Sequence, residues 1–251
     1  MGLTMSKPQF FLVHGSWHWG GCLQKVADIL GASGYAVTTP DLTSHGYSGA
    51  TWDSVASMED YTRPVKDLLS RADAPVILVG HSMGGVTLTH LAETMPGKIR
   101  SLVYLTAFMT PVGKTANDYI FAYAGNPVAA SLFAILKPVK EWAGLELDME
   151  KPDLVKDAFY GDCSEKDAQI AFKNATTINT SVPNVYAPGH ISSLPRHYIT
   201  CSQDHAIPLD VQRKMIDDVP GATIHAMDTS HSPFFSAPDK LAEILMNIAN
   251  A

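Results

Sequence analysis

Residues 76–90, VILVGHSMGGVTLTH, leave the backbone few choices. Four apolar residues end at a glycine, a serine follows between close-set glycines, and a helix-like run begins at once. A strand that turns directly into a helix around Gly80-His81-Ser82-Met83-Gly84 holds its serine in strained backbone. Glycines on both sides remove the Cβ atoms that would otherwise collide there. Gly85 adds room for the helix to approach the sheet. Such a turn exposes the hydroxyl at the strand's carboxyl end, and it aims the first free N–H groups of the helix at any negative charge developing beside it.

The surroundings of this turn extend the same pattern. Stretches 9–15, 35–42, 74–80 and 101–107 are short and apolar, rich in aromatic or β-branched residues, and read as strands. Between them, residues 20–33 carry Cys22, Val26, Ile29 and Leu30 at helical spacing, with Gly34 as a C-cap. Residues 57–72 read as a helix capped by Ser57 with Pro64 inside it, and 83–95 as a third helix. This order demands crossover connections and a parallel sheet buried on both faces. From Pro111 to about Pro188 the chain is aromatic-rich and punctuated by prolines, without a comparable strand. It reads as a mostly helical insertion. The alternation then resumes with a strand at 196–201, a helix at 208–219, a strand at 222–227 and a last helix from Pro238. The expectation is one α/β domain, with a core formed by residues 1–110 and 189–251 and a cap formed by 111–188.

Composition narrows the function classes. Hydrophobic residues make up 46% of the 251 and charged residues 17%, as in ordinary globular proteins. The net charge is −7 and no basic cluster occurs, which argues against nucleic acid or an anionic membrane as partner. Cys22, Cys163 and Cys201 are scattered, odd in number and without a CxxC pair, so neither a disulfide framework nor a zinc knuckle is expected. The first apolar run is too short for a signal peptide or a membrane span, which suggests a reducing, cytoplasmic setting. The MGLTMS start, the acceptor-like Asn174 and Asn179, and the VGKT at 112–115 read as chance matches. No GxGxxG occurs. The sequence is silent on oligomeric state.

A serine hydroxyl is a weak nucleophile; it needs a histidine base, and that base needs an orienting carboxylate. His231 stands in the loop between the last strand and the last helix, at the edge where Ser82 lies. His81 adjoins the serine but is expected to point away from it. His90 falls in a helix, and His197 and His225 fall in strands, where packing explains them. Asp204 follows the strand at 196–201 and matches the chain order serine, acid, histidine. Asp228 is its rival, three residues before His231; Asp210 belongs to the following helix. The N–H of Met83, the residue after the nucleophile, is one expected oxyanion donor. Cap residues Tyr119, Phe121, Tyr123, Phe133, Leu136 and Trp142 either wall an apolar pocket or pack cap to core. Trp17 and Trp19 either line the site or cover the sheet.

On the stretches FFLVHGSWHWGG, LVGHSMGG, LTAF, FYGDC, YITCSQDHAIP and HSPFFSAPDKLAEIL, the chain resembles the α/β-hydrolases. Within them it is most similar to the branch that holds plant methylesterases, hydroxynitrile lyases and bacterial pyrethroid-hydrolysing carboxylesterases. The resemblance implies a Ser82, Asp204 and His231 triad, agreeing with the residue-level choice. It also implies the N–H of Ser16 as the second oxyanion donor, with His14 and Gly15 shaping that loop. The lyases of this branch have threonine where this chain has Gly15 and lysine directly after the catalytic histidine. Here that residue is Ser232, so hydrolysis is favoured over cyanohydrin cleavage, and HSPFF sits nearer the bacterial esterases than the plant enzymes. The expected activity is hydrolysis of small to medium lipophilic esters through an acyl-enzyme, with no cofactor and no metal. A carbon–carbon-cleaving enzyme, or a small-molecule receptor keeping the same triad, is the alternative.

Overall fold

The computed structural model describes residues 7–125, 127, 129–185 and 191–251. Its first half alternates as expected: β1 (Phe10–Val13), α1 (Gln24–Ala32), β2 (Val37–Thr38), α2 (Met58–Ser70), β3 (Val76–His81), α3 (Gly84–Thr94) and β4 (Ile99–Leu105). A second group follows: α4 (Ala116–Ala122), α5 (Ala129–Ala134), β5 (Leu136–Val139), β6 (Gly144–Leu147), α6 (Pro152–Tyr160), α7 (Glu165–Asn174) and β7 (Ile178–Asn179). The chain then returns through β8 (Arg196–Cys201), α8 (Leu209–Asp218), β9 (Thr223–Met227), the single turn α9 (Pro233–Ser236) and α10 (Pro238–Asn250).

The main sheet has the order β2-β1-β3-β4-β8-β9, and every neighbouring pair is parallel. Alternate residues of each strand face opposite sides. Phe10, Leu12, Ile77 and Val79 pack with Val26 and Leu30 of α1 and Leu241 and Leu245 of α10. Phe11, Val13, Leu78 and Tyr104 pack with Val65 and Leu69 of α2, Leu88 of α3 and Met215 of α8. Burial on both faces is why these strands read as unbroken apolar runs rather than alternating ones.

Helix α2 begins where expected, with the Ser57 side chain accepting from the Asp60 N–H. It passes through Pro64 without ending. An interior proline leaves the carbonyl four residues earlier without its helical donor. That carbonyl, of Asp60, accepts instead from the Thr43 hydroxyl at 2.5 Å.

The stretch expected to be mostly helical holds α4 to α7 but also a three-stranded antiparallel sheet, β5-β6-β7. Its strands escape a reading by pattern because they span only four, four and two residues and β5 contains Pro138. The hairpin tip uses Lys140, Glu141 and Trp142, all at positive φ, without the glycine or asparagine that marks such turns. The expected insertion boundary near Pro188, and the MGLTMS start, lie outside the described residues. Among the described residues, no helix is long and apolar enough to cross a membrane.

Candidate active site

Strands β1, β3, β4, β8 and β9 all end at one edge of the sheet, and the residues singled out above follow those ends. Ser82, directly after β3, has φ +54°, a left-handed conformation that costs a non-glycine residue about 1–2 kcal/mol. Neighbouring backbone holds it there. Its N–H donates to the Leu105 carbonyl at 3.2 Å, and its carbonyl accepts from the Gly85 and Phe108 N–H groups at 3.0 Å each. A Cβ on Gly80 would lie 2.5 Å from Leu88 Cδ1, and one on Gly84 would lie 2.8 Å from the His14 carbonyl oxygen. The flanking glycines are therefore steric requirements of the turn.

His231, in the loop after β9, is fully buried, and its Nδ1 donates to Asp204 Oδ2 at 2.7 Å. Its Nε2 is buried with no hydrogen-bond partner among the described residues. Asp204, in the loop after β8, has no spare acceptor position. Its Oδ1 accepts from the N–H groups of Ala206 (2.7 Å) and Ile207 (2.8 Å), and its Oδ2 also accepts from the Thr106 hydroxyl at 2.5 Å. The rival Asp228 is exposed and occupied elsewhere, accepting from the Ser202 hydroxyl and from Gln203 Nε2 at 3.0 Å. Asp210 lies in α8.

Two further residues contribute to this arrangement without being reacting groups. Thr106 is one. His81 is the other: its side chain does not merely point away, but reaches the loop that carries His231. Its Nε2–H donates to the His231 carbonyl at 2.9 Å, and the two rings lie 4.5 Å apart. The residue preceding Ser82 thus pins the backbone of His231 beside it.

The loop after β1 packs directly on the serine turn, since a Cβ on Gly15 would lie 2.6 Å from Ser82 Cβ and 3.2 Å from the Met83 nitrogen. Two buried histidines fix this loop. His14 Nε2 accepts from the Leu42 N–H at 3.0 Å, so its proton is on Nδ1, which donates to the Gly15 carbonyl at 2.8 Å. His18 Nδ1 donates to the Ser16 carbonyl at 2.8 Å, and its Nε2 accepts from the Tyr160 hydroxyl at 3.1 Å. Both rings are neutral. Burial, with His45 alongside, holds His14 well below its ordinary range, and burial pushes His18 down to about 3. Trp17 donates its indole N–H to the Leu145 carbonyl at 3.2 Å, joining this loop to β6.

A cavity of about 480 Å³ opens over Ser82. Ser16, Met83 and the aromatic rings of Trp17, Phe108, Phe121, Phe133, Trp142 and Phe159 line it, and among the described residues none of its lining side chains is charged. Leu136 lines it too. Trp19 instead covers the sheet, buried against Phe235. Tyr119 and Tyr123, expected beside Phe121, face a smaller neighbouring cavity with Pro208 and Val211. The reason is helical direction: α4 turns Phe121 toward the large cavity while Tyr119 is buried on another side, donating to Asp218 Oδ2 at 2.7 Å. Among the described residues, no group of three or more His, Cys, Asp or Glu could hold a metal ion.

A profile described as "Alpha/beta hydrolase family" matches residues 10–244. A pyrethroid hydrolase of Sphingobium wenxiniae is 35% identical over 98% of this chain and 89% of its own. Methylesterase 7 of Arabidopsis thaliana is 32% identical over 98% and 97%. The crystal structure of a pyrethroid hydrolase from Sphingobium faniae superposes with a TM-score of 0.89, at 34% identity, covering 97% of this chain and 98% of that one. The chain belongs to the α/β-hydrolase family, and within it stands among carboxylic ester hydrolases.

Proposed function

We propose that this protein is a serine carboxylesterase for uncharged, lipophilic esters of small to medium size. Ser82 Oγ attacks the ester carbonyl while His231 Nε2 takes its proton. Asp204 remains a carboxylate throughout, holding the ring in the tautomer that leaves Nε2 as base. The N–H groups of Met83 and Ser16 bind the oxygen of the tetrahedral intermediate, which carries the negative charge. Collapse of the intermediate expels the alcohol, which leaves with the proton from His231. Water, deprotonated by the same Nε2, then attacks the acyl-serine and frees the acid.

The observation that carries this reading is the His231 ring itself. Its Nδ1 is committed to Asp204, its Nε2 is unpartnered, and it packs against the residue next to a strained serine. In sites of this kind the hydrogen bond between nucleophile and base is commonly long without substrate and tightens in the bound complex. The substrate class follows from the cavity, whose uncharged, aromatic lining would leave a substrate's carboxylate or ammonium desolvated and unpaired. Ser232, directly after His231, supplies no cation to receive a cyanide leaving group, and the Cβ of a threonine at position 15 would collide with Ser82. The names of the relatives support the same reading, since a pyrethroid hydrolase and methylesterases align over nearly all of this chain.

The test is hydrolysis of p-nitrophenyl acetate, butyrate and octanoate by wild type and Ser82→Ala. Wild type is expected to turn over all three, and the variant to lose at least about a thousandfold in kcat. Undiminished activity in the variant removes the nucleophile from this reading.

A further inference from the structure

Residues Phe159–Cys163, the FYGDC stretch at the end of α6, contribute no reacting group, yet they touch both halves of the site. On one side, the buried Tyr160 donates to His18 Nε2 at 3.1 Å, and His18 donates to the Ser16 carbonyl at 2.8 Å. On the other side, Asp162 Oδ1 accepts from the Ser230 hydroxyl, and Cys163 Sγ lies 3.7 Å from the Ser232 carbonyl oxygen. The residues immediately before and after His231 are thus both tied to this segment. The Phe159 ring stands 5.3 Å from that of His231 and lines the cavity.

We infer that Phe159–Cys163 is a positioning element that sets the oxyanion loop and the His231 loop relative to each other, with Tyr160 acting on Ser16 through His18. The inference rests on the esterase reading above, in which the Ser16 N–H is an oxyanion donor.

The argument is one of tautomers. A neutral imidazole has one donor and one acceptor. The Ser16 carbonyl can only accept, so the His18 proton must sit on Nδ1 and Nε2 must be an acceptor. Tyr160 supplies the donor that Nε2 requires in a site closed to water. Without the phenol, Nε2 is a buried acceptor with no partner, and the ring gains by turning toward another donor. The Nδ1–H would then leave the Ser16 carbonyl, and the peptide would be free to rotate. Ser16 N–H would lose its aim at the oxyanion, which matters most in the transition state.

Tyr160→Phe removes a single oxygen and is the direct test. It is expected to lower kcat for p-nitrophenyl butyrate by about tenfold while KM stays within about twofold. The affinity for a butyl trifluoromethyl ketone, which forms a hemiketal oxyanion on Ser82, is expected to fall in the same ratio. In a His18→Asn background, whose amide donates to Ser16 without help from Tyr160, Tyr160→Phe should cause no further loss. Asp162→Ala, at an exposed position, reads the other arm independently of any folding defect in the core; it should lower kcat, and Asp162→Asn, which still accepts from Ser230, should restore it. A Tyr160→Phe variant with wild-type kcat and ketone affinity and only a lower Tm overturns the inference. Equal kcat in Asp162→Ala and wild type does the same for the second arm. If Ser82→Ala is inactive in the same assays, these failures strike the positioning role alone; if Ser82→Ala is active, the esterase reading falls and this inference with it.

Discussion

Asp204 accepts four hydrogen bonds, two on each carboxylate oxygen, and a carboxylate so engaged has one orientation. Asp204→Asn preserves the shape but must turn its NH₂ toward at least one of four donors. His231 would lose the acceptor that fixes its tautomer, and kcat should drop by about a thousandfold or more. Asp228→Asn, at an exposed carboxylate bound to Ser202 and Gln203, should stay within about twofold of wild type. Steady-state kinetics of both variants decide between the two carboxylates, and comparable losses would reopen the choice. Thr106→Val removes one charged hydrogen bond from Asp204 and is expected to cost about tenfold in kcat. Ser82, Asp204 and His231 are legible because each follows a strand in a loop, so sequence alone assigns them to the same sheet edge. Thr106 also follows a strand and His81 ends one, but neither carries a reacting group that the chemistry of a serine nucleophile demands. A threonine after a strand and a histidine before a serine acquire their contacts only when β3, β4, β8 and β9 lie side by side.

At the scale of elements, the core strands and helices announce themselves because burial on both faces imposes long apolar runs. The cap does not. Its sheet is assembled from strands too short for a periodicity, and its hairpin tip places three consecutive non-glycine residues at φ +45°, +55° and +74°. What holds the tip is tertiary: Lys140 pairs with Asp53 at 2.5 Å and lies over the Trp52 ring, and the Thr180 hydroxyl donates to the Trp142 carbonyl at 2.8 Å. The pair is exposed, so its contribution is small. The consequence is functional, because this tip presents Trp142, 63% exposed, at the mouth of the cavity. Trp142→Ala should raise KM for p-nitrophenyl octanoate several-fold, by about 1–1.5 kcal/mol of lost apolar contact, and leave p-nitrophenyl acetate unchanged. Parallel effects on both esters would show that the tip shapes the reacting end rather than the acyl channel.

The molecule as a whole carries an acid liability built from the same residues. His14, His18, His45 and His81 are buried and neutral; burial pushes His45 down to about 4 and His18 to about 3, and holds His14 and His81 well below the ordinary histidine range. Three of them need that neutrality or a fixed proton for their hydrogen bonds: His14 and His18 accept at Nε2, and His81 donates to the loop of His231. In the unfolded chain each takes up a proton below pH about 6.5. The unfolded state then binds more protons than the fold, so stability falls as pH drops from that value, and the loss continues until each ring reaches its own folded pKa. The four rings act in the same direction, so the loss steepens as pH falls below about 6.5. The urea midpoint is therefore expected to rise steeply between pH 5 and 7 and to level above it. His45→Gln, which removes one of the four titrating rings, should reduce the slope by about one proton. A urea midpoint that stays level from pH 7 down to 5 would mean that these rings are charged or hydrated in the fold, and the tautomer argument for His14 and His18 would lose its basis.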